Sequence, residues 1–191
     1  MPNPLDDSAW LVLHEVRLRG VVDIDDDETV ASLTEIGFIV RASRGVRVTP
    51  EGRDAHTGWA RLEPGSDAET AMRRSYEAFL ALNRELIRVC NDWLVRPGGV
   101  PNDHNDPKYD WSVVDRLQAL DERAAPVISR VGRVHARFTT YRPRLRAALK
   151  RVDDGEYEWL TSPRCDSYHT VWMQLHEDLL LALGLDRESE T

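Results

Sequence analysis

The chain has 191 residues, 41% of them hydrophobic, with six Trp and no low-complexity tract, which excludes a disordered or fibrous protein and suits one compact unit or a small module joined to a larger one. Its 25 Lys plus Arg against 33 Asp plus Glu give a net charge of −8, which repels nucleic acid unless the positive charges gather on one face. No run of about 18 apolar residues occurs and MPNPLDDSAW lacks the basic and apolar regions of a signal peptide, so no membrane partner and a cytoplasmic location are expected. Cys90 and Cys165 form neither a CxxC pair nor a disulfide framework and read as free thiols.

Residues 6–19 place Trp10, Leu11, Leu13, His14, Val16 and Leu18 in a helical pattern, entered through Asp6, Asp7 and Ser8 as cap candidates and stopped at Gly20. Residues 28–36 put Val30, Leu33 and Ile36 at spacings of three, and Gly37 caps that second helix. Two β-prone runs follow, Phe38 to Arg41 and Val46 to Thr49, around a Ser43-Arg44-Gly45 turn, which predicts a hairpin. Pro50 suits the first turn of a further helix, with Thr49 as its cap.

The order helix, helix, glycine, F-I-V-R strand, wing and then V-T-P-E-G-R, over roughly residues 8–58, resembles the winged-helix domain of MarR-type transcriptional regulators. A complete winged helix needs two helices between the first helix and the wing, and residues 21–37 hold room for one. That interval carries Asp23, Asp25, Asp26, Asp27, Glu28 and Glu35 with no Lys or Arg, so the element that should enter a major groove is acidic. The basic part is the wing, with Arg41, Arg44, Arg47 and Arg53.

The break EPGSD at 63–67 sets a module boundary, and Ser66 or Asp67 caps the helix that follows. Residues 67–95 carry Met72, Tyr76, Phe79, Leu80, Leu86, Ile87, Cys90 and Trp93 on one stripe, interrupted by Asn83. Pro97, Gly98, Gly99 and Pro101 then open a polar loop, Asn102 to Pro107. Helical patterning resumes near Tyr109, with a bend expected at Pro126, and continues through Val134. A shorter helix is expected over 142–152 and a final one from Ser167 to Leu183, after which the tail past Gly184 should fray.

Three places carry candidate chemistry. In the loop, Asn102, Asp103, His104, Asn105, Asp106 and Asp110 suit turn formation and capping, contact with a polar ligand, acid-base chemistry, or metal ligation. On the final helix, His169 and His176 are seven residues apart, about 10.5 Å along the axis, a poor distance for sharing one metal, so a mononuclear site would need His104 with one of the two and a carboxylate such as Asp106 or Glu177. Asn83 falls where the stripe asks for an apolar side chain, so its amide needs a partner, and the polar loop is the first candidate. Tyr76, Trp93, Trp111, Tyr168 and Trp172 suit either plain core or the lining of a small-molecule pocket. No GxSxG elbow, P-loop or GxGxxG motif occurs.

The expected fold is therefore mainly α: a degenerate winged helix with a small β-hairpin wing at 1–62, followed by a helical bundle at 63–191. The resemblance implies a homodimeric regulator whose wing arginines contact DNA and whose bundle senses a small-molecule effector or mediates dimerisation, with Asn83, His104, Asp106, His169, Trp172 and His176 as the ligand candidates. The alternatives are a module that binds a small molecule or a protein and no DNA, and a metal-dependent enzyme built on His104, Asp106 and His169 or His176. Neither a cofactor nor a metal is specified by the sequence.

Overall fold

The computed structural model describes residues 5–24 and 27–186. Asp25, Asp26 and the end of the tail expected to fray lie outside the described residues, as does the Asp27 side chain. The architecture is mainly helical, with two small antiparallel sheets. The chain divides into two compact units, Met1–Glu63 with Glu177–Thr191, and Pro64–His176. Nothing in the hydrophobic pattern signals that the residues from Glu177 onward group with the N-terminal unit.

In the N-terminal unit, α1 (Asp7–Arg19) starts where the Asp6 carboxylate accepts from the Ala9 amide at 2.8 Å. It is followed by β1 (Val21–Val22), α2 (Asp27–Glu35), the hairpin β2 (Ile39–Ala42) and β3 (Gly45–Val48), and α3 (Pro50–Ala60). The three strands form an antiparallel sheet in the order β1-β3-β2. Leu13 and Val16 from α1, Val30 and Leu33 from α2, and Ile39 and Val46 from the hairpin make the core. Trp10 stacks on Trp59 of α3, with ring centroids 5.5 Å apart and planes 3° from parallel.

The hairpin turn is one residue shorter than expected. The turn is Ser43-Arg44 alone, and Gly45 pairs with Ala42 as the first residue of β3. β1, which the sequence did not announce, passes close to Gly45: a Cβ there would sit 2.1 Å from the Val22 carbonyl oxygen, and the residue holds φ at 102°. Ile36 falls beyond the end of α2 and is exposed rather than buried.

The V-T-P-E-G-R run has a structural explanation. The Thr49 hydroxyl accepts from the Gly52 amide at 3.0 Å and donates to the Gly37 carbonyl at 2.6 Å, while the Thr49 amide donates to the Phe38 carbonyl at 3.0 Å. Pro50 occupies the first turn of α3. Gly52 presses its bare Cα against the same carbonyl, where a Cβ would come within 2.0 Å of the oxygen.

In the helical unit, α4 (Asp67–Leu94) begins at Ser66, whose hydroxyl accepts from the Glu69 amide. A two-rung hairpin, β4 (Val95–Arg96) with β5 (Val100–Pro101), leads to α5 (Pro107–Val134), which packs along α4. Pro126, where a bend is expected, lies inside α5, which continues through it as one helix. A 3-10 turn at Ala136–Thr140, α6 (Tyr141–Asp153), the short α7 (Glu158–Thr161) and α8 (Tyr168–Leu183) follow. Ile87 and Trp111, both counted toward apolar faces, are exposed. Among the described residues no helix is long and apolar enough to cross a membrane.

Two glycines of α3 provide a paired test. Gly52→Ala forces a Cβ into the Phe38 carbonyl and should cost more than about 2 kcal/mol. Gly58→Ala, exposed and with nothing within 4 Å of its Cβ, should instead add about 0.5–1 kcal/mol. Urea unfolding midpoints check both signs.

Candidate functional site

The β2–β3 hairpin is held on three sides by its own unit. β1 pairs with β3, α2 leads into β2 through the Phe38 amide, which donates to the Leu33 carbonyl, and α3 leaves from Thr49. Arg41, Arg44, Arg47 and Arg53 are all exposed, and no carboxylate among the described residues pairs with any of them. They do not share one face. Arg41 lies opposite Val46, whose side chain is in the core, whereas Arg47 lies opposite Val40 and Val21, both exposed, so alternation sends the two arginines to opposite faces of the hairpin. Arg44 occupies the turn and Arg53 the first turns of α3. Of the neighbouring acids, Asp23, Glu28 and Glu35 are exposed.

Behind the wing, the unit encloses a chain of polar side chains. His14 Nε2 lies 3.1 Å from an Asp178 carboxylate oxygen, and His14 Nδ1 lies 2.9 Å from His56 Nε2. His14 is 7% exposed, His56 and Asp178 not at all. A carboxylate has no hydrogen to give, so a neutral His14 donates to Asp178 from Nε2 and accepts at Nδ1 from the Nε2–H of His56. Trp59 lies against both imidazoles, with its ring centroid 5.7 Å from His14 and 5.5 Å from His56. One turn along α1, Arg17 reaches Glu177 at 3.5 Å. Burial, with Arg53 nearby, holds its guanidinium below the usual arginine range. None of the three buried groups was a sequence candidate. The available signal was a histidine on the apolar face of α1, the same kind of anomaly that marked Asn83.

In the helical unit, Asn83 is buried, and its partner is not the polar loop. Its carbonyl oxygen accepts from Trp172 Nε1 at 3.0 Å. Trp172 also stacks on Phe79 at 4.8 Å, and the buried His176 ring lies among Tyr76 and Phe79 at 6.1 and 5.2 Å. Asn83, Trp172 and His176 are thus one aromatic and polar core cluster.

The loop forms a separate arrangement. Asp106 caps α5, accepting from the Tyr109 amide, and pairs with Arg96 at 2.8 Å; the Arg96 hydrogen bond first, and the Tyr109 amide second, hold its carboxyl below the ordinary range. His104 has φ of 55°, a left-handed conformation that His tolerates better than most residues. Its Nδ1 lies 3.1 Å from the buried Asp110 carboxylate, and its ring lies against Trp93 at 4.4 Å. Asn102 ties the loop down by donating to Asp110 at 2.8 Å and to the Trp93 carbonyl at 3.1 Å. His169 is half-buried, and desolvation lowers its pKa from 6.5.

Compared with known proteins, the chain matches no family model, no curated protein and no solved structure. Among the described residues no three His, Cys, Asp or Glu side chains gather as a metal would require. The convergence of His104 and Asp106 with His169 or His176, on which the metal-dependent reading stood, does not occur. Cys90 is buried, which pushes its thiol up to about 12 and keeps it protonated at neutral pH.

Asp178→Ala should cost about 1–3 kcal/mol, because it strips a buried imidazole N–H of its acceptor. In a double-mutant cycle with His14→Ala, the coupling should reach about 1–3 kcal/mol. Strictly additive losses in the unfolding midpoints would count against the bond. His169 supplies a pH signature. It binds its proton more weakly folded than unfolded, so its contribution is intact above about pH 6.5 and stability falls as the pH drops below that toward the lowered value. His169→Gln should flatten the urea midpoint between about pH 7 and pH 5.5.

Proposed function

We propose that the chain is a winged-helix-type transcriptional regulator in which the hairpin contacts DNA phosphates and the helical unit senses a small-molecule effector or mediates dimerisation. The observation that carries this reading is the state of the wing cations. Arg41, Arg44, Arg47 and Arg53 are exposed and unpaired among the described residues, in a chain whose total charge is −8. A guanidinium left unneutralised beside such a surplus of carboxylates is available to an anion from outside.

The distribution of charge says what kind of contact this is. Arginines on both faces and at the tip of a hairpin suit phosphates on either side of a groove. Among the described residues between α1 and the hairpin one helix is present, α2, and its described exposed charged side chains, Glu28 and Glu35, are acidic. Acids there oppose entry into a major groove, so the reading is one of backbone contact with little direct base readout. The same acids favour a second reading, a winged-helix-derived module that binds a small molecule or a protein and no DNA.

Capture of sheared genomic DNA by the full chain at about 0.15 M salt separates the two, because non-specific binding is weak there. The regulator reading expects enrichment of discrete fragments, lost in Arg44→Ala/Arg47→Ala. Absence of enrichment by the parent chain would overturn it in favour of the second reading.

A further inference from the structure

Within the N-terminal unit, α1 and α3 pack in opposite directions, and their side chains meet rung by rung. Trp10 stacks on Trp59, and one turn on, His14 meets His56 at 2.9 Å. The next step forward along α1 is Arg17, and the next step back along α3 is Arg53. Residues three or four apart share a helix face, so the third rung sets two guanidiniums against each other. Burial first, and the Arg53 charge second, hold the Arg17 guanidinium below its usual range, as two facing cations require.

The first two rungs are matched. The indoles lie 3° from parallel, and Asp178 of α8 accepts from His14 at 3.1 Å. The arginine rung is not matched. Glu177, also of α8, stands 3.5 Å from Arg17, beyond the roughly 2.7–2.9 Å of a charge-assisted bond. The buried Arg17 Nε has no acceptor among the described residues. By contrast, the Arg142 guanidinium receives both oxygens of Asp121, at 2.6 and 2.9 Å. Nor do other acids close the rung. Glu15 pairs with Arg19 at 3.2 Å, and the exposed Glu51 and Asp54 beside Arg53 pair with neither arginine among the described residues. Arg53 is itself exposed, so the rung opens to solvent.

The donors select the ligand. One guanidinium fork takes up both oxygens of a carboxylate, whereas a phosphate carries further acceptor oxygens and up to two charges, and can accept a fork from each of two arginines. We propose that Arg17 and Arg53 form a binding site for a phosphate oxyanion at the open end of the α1–α3 interface. Two sources share that chemistry, a small phosphorylated molecule and the DNA backbone. The site does not rest on the regulator reading.

Calorimetric titration of the full chain with inorganic phosphate near pH 7.5, with chloride at matched ionic strength as baseline, should show one site with Kd of about 1 mM, the order that a few charge-assisted bonds supply. Arg53→Ala should weaken binding at least tenfold and, being at an exposed position, leave the thermal melt unchanged. Arg17→Gln should weaken it as much, and Arg17→Lys, which keeps the charge and loses the fork, should recover only part of it. Arg44→Ala/Arg47→Ala should bind phosphate as the parent chain does. Anisotropy with a labelled mixed-sequence duplex at about 0.1 M salt identifies the source. Duplex binding weakened by Arg17→Gln as well as by Arg53→Ala would make it the DNA backbone. Phosphate binding by a chain that ignores the duplex would make it a small phosphorylated molecule and sink the regulator reading alone. Phosphate binding that survives either substitution, or no phosphate binding together with duplex binding indifferent to Arg17→Gln, would overturn the site.

Discussion

The N-terminal unit turns on one backbone carbonyl, that of Phe38. It accepts from the Thr49 amide and is approached by the Thr49 hydroxyl at 3.2 Å, while Gly52 lies against it without a Cβ. Three constraints meet there: the end of α2 passes into β2, the hairpin closes, and α3 begins. Any side chain at 52, or loss of the hydroxyl at 49, disturbs all three at once. This is why a short run of six residues carries more structural information than its hydrophobicity does. Gly45 does the same for the third strand, since β1 reaches β3 only where no Cβ intervenes.

Each unit then has to bury polar groups, and each bonds several of them to one another. In the N-terminal unit, α1, α3 and the end of α8 contribute one member each to the His14, His56 and Asp178 chain. In the helical unit, Asp121 takes both nitrogens of Arg142, at 2.6 and 2.9 Å, and the Tyr168 hydroxyl at 3.1 Å. Burial, with the Asp121 charge second, raises the Tyr168 hydroxyl well above its ordinary range, so it keeps its proton and donates to Asp121. The Asn83 amide and the Trp172 indole close a third set. Hydrogen bonds of this kind add modest net stability when complete, but breaking one leaves a stranded buried group. They fix which side chains face which, and a purely apolar core of the same volume would not.

What the sequence discloses follows from how local each signal is. α1, α4, α5 and α8 are legible because a cap or a 3.6-residue period is written within a few turns, and Thr49-Pro50 marks the start of α3 for the same reason. β1 is not legible: two residues make no pattern, and its existence depends on Gly45, more than twenty residues later. The burial of Asn83 could be read from its place on the stripe, but not its partner, 89 residues away on α8. His14 broke the apolar face of α1 in the same manner, yet its partners stand 42 and 164 residues away. Ile87 and Trp111 fail for a geometric reason, since each follows directly on a buried residue and is turned about 100° away from it.

Charge placement matters more here than net charge. An overall surplus of acid coexists with unneutralised arginines because neutralisation is decided by register. The α4 and α5 ladder pairs Arg116 with Asp92 and Arg123 with Glu85, where a seven-residue step on both helices sets cation against acid. In the hairpin, strand alternation separates Arg41 from Arg47 and places valines rather than acids opposite both. On the proposed reading, a contact built from such residues neutralises phosphates and positions a duplex without reading its base edges. On that reading, any sequence preference would come from the shape and deformability of the DNA, because the exposed Glu28 and Glu35 of α2 offer carboxylates and no donors to phosphate.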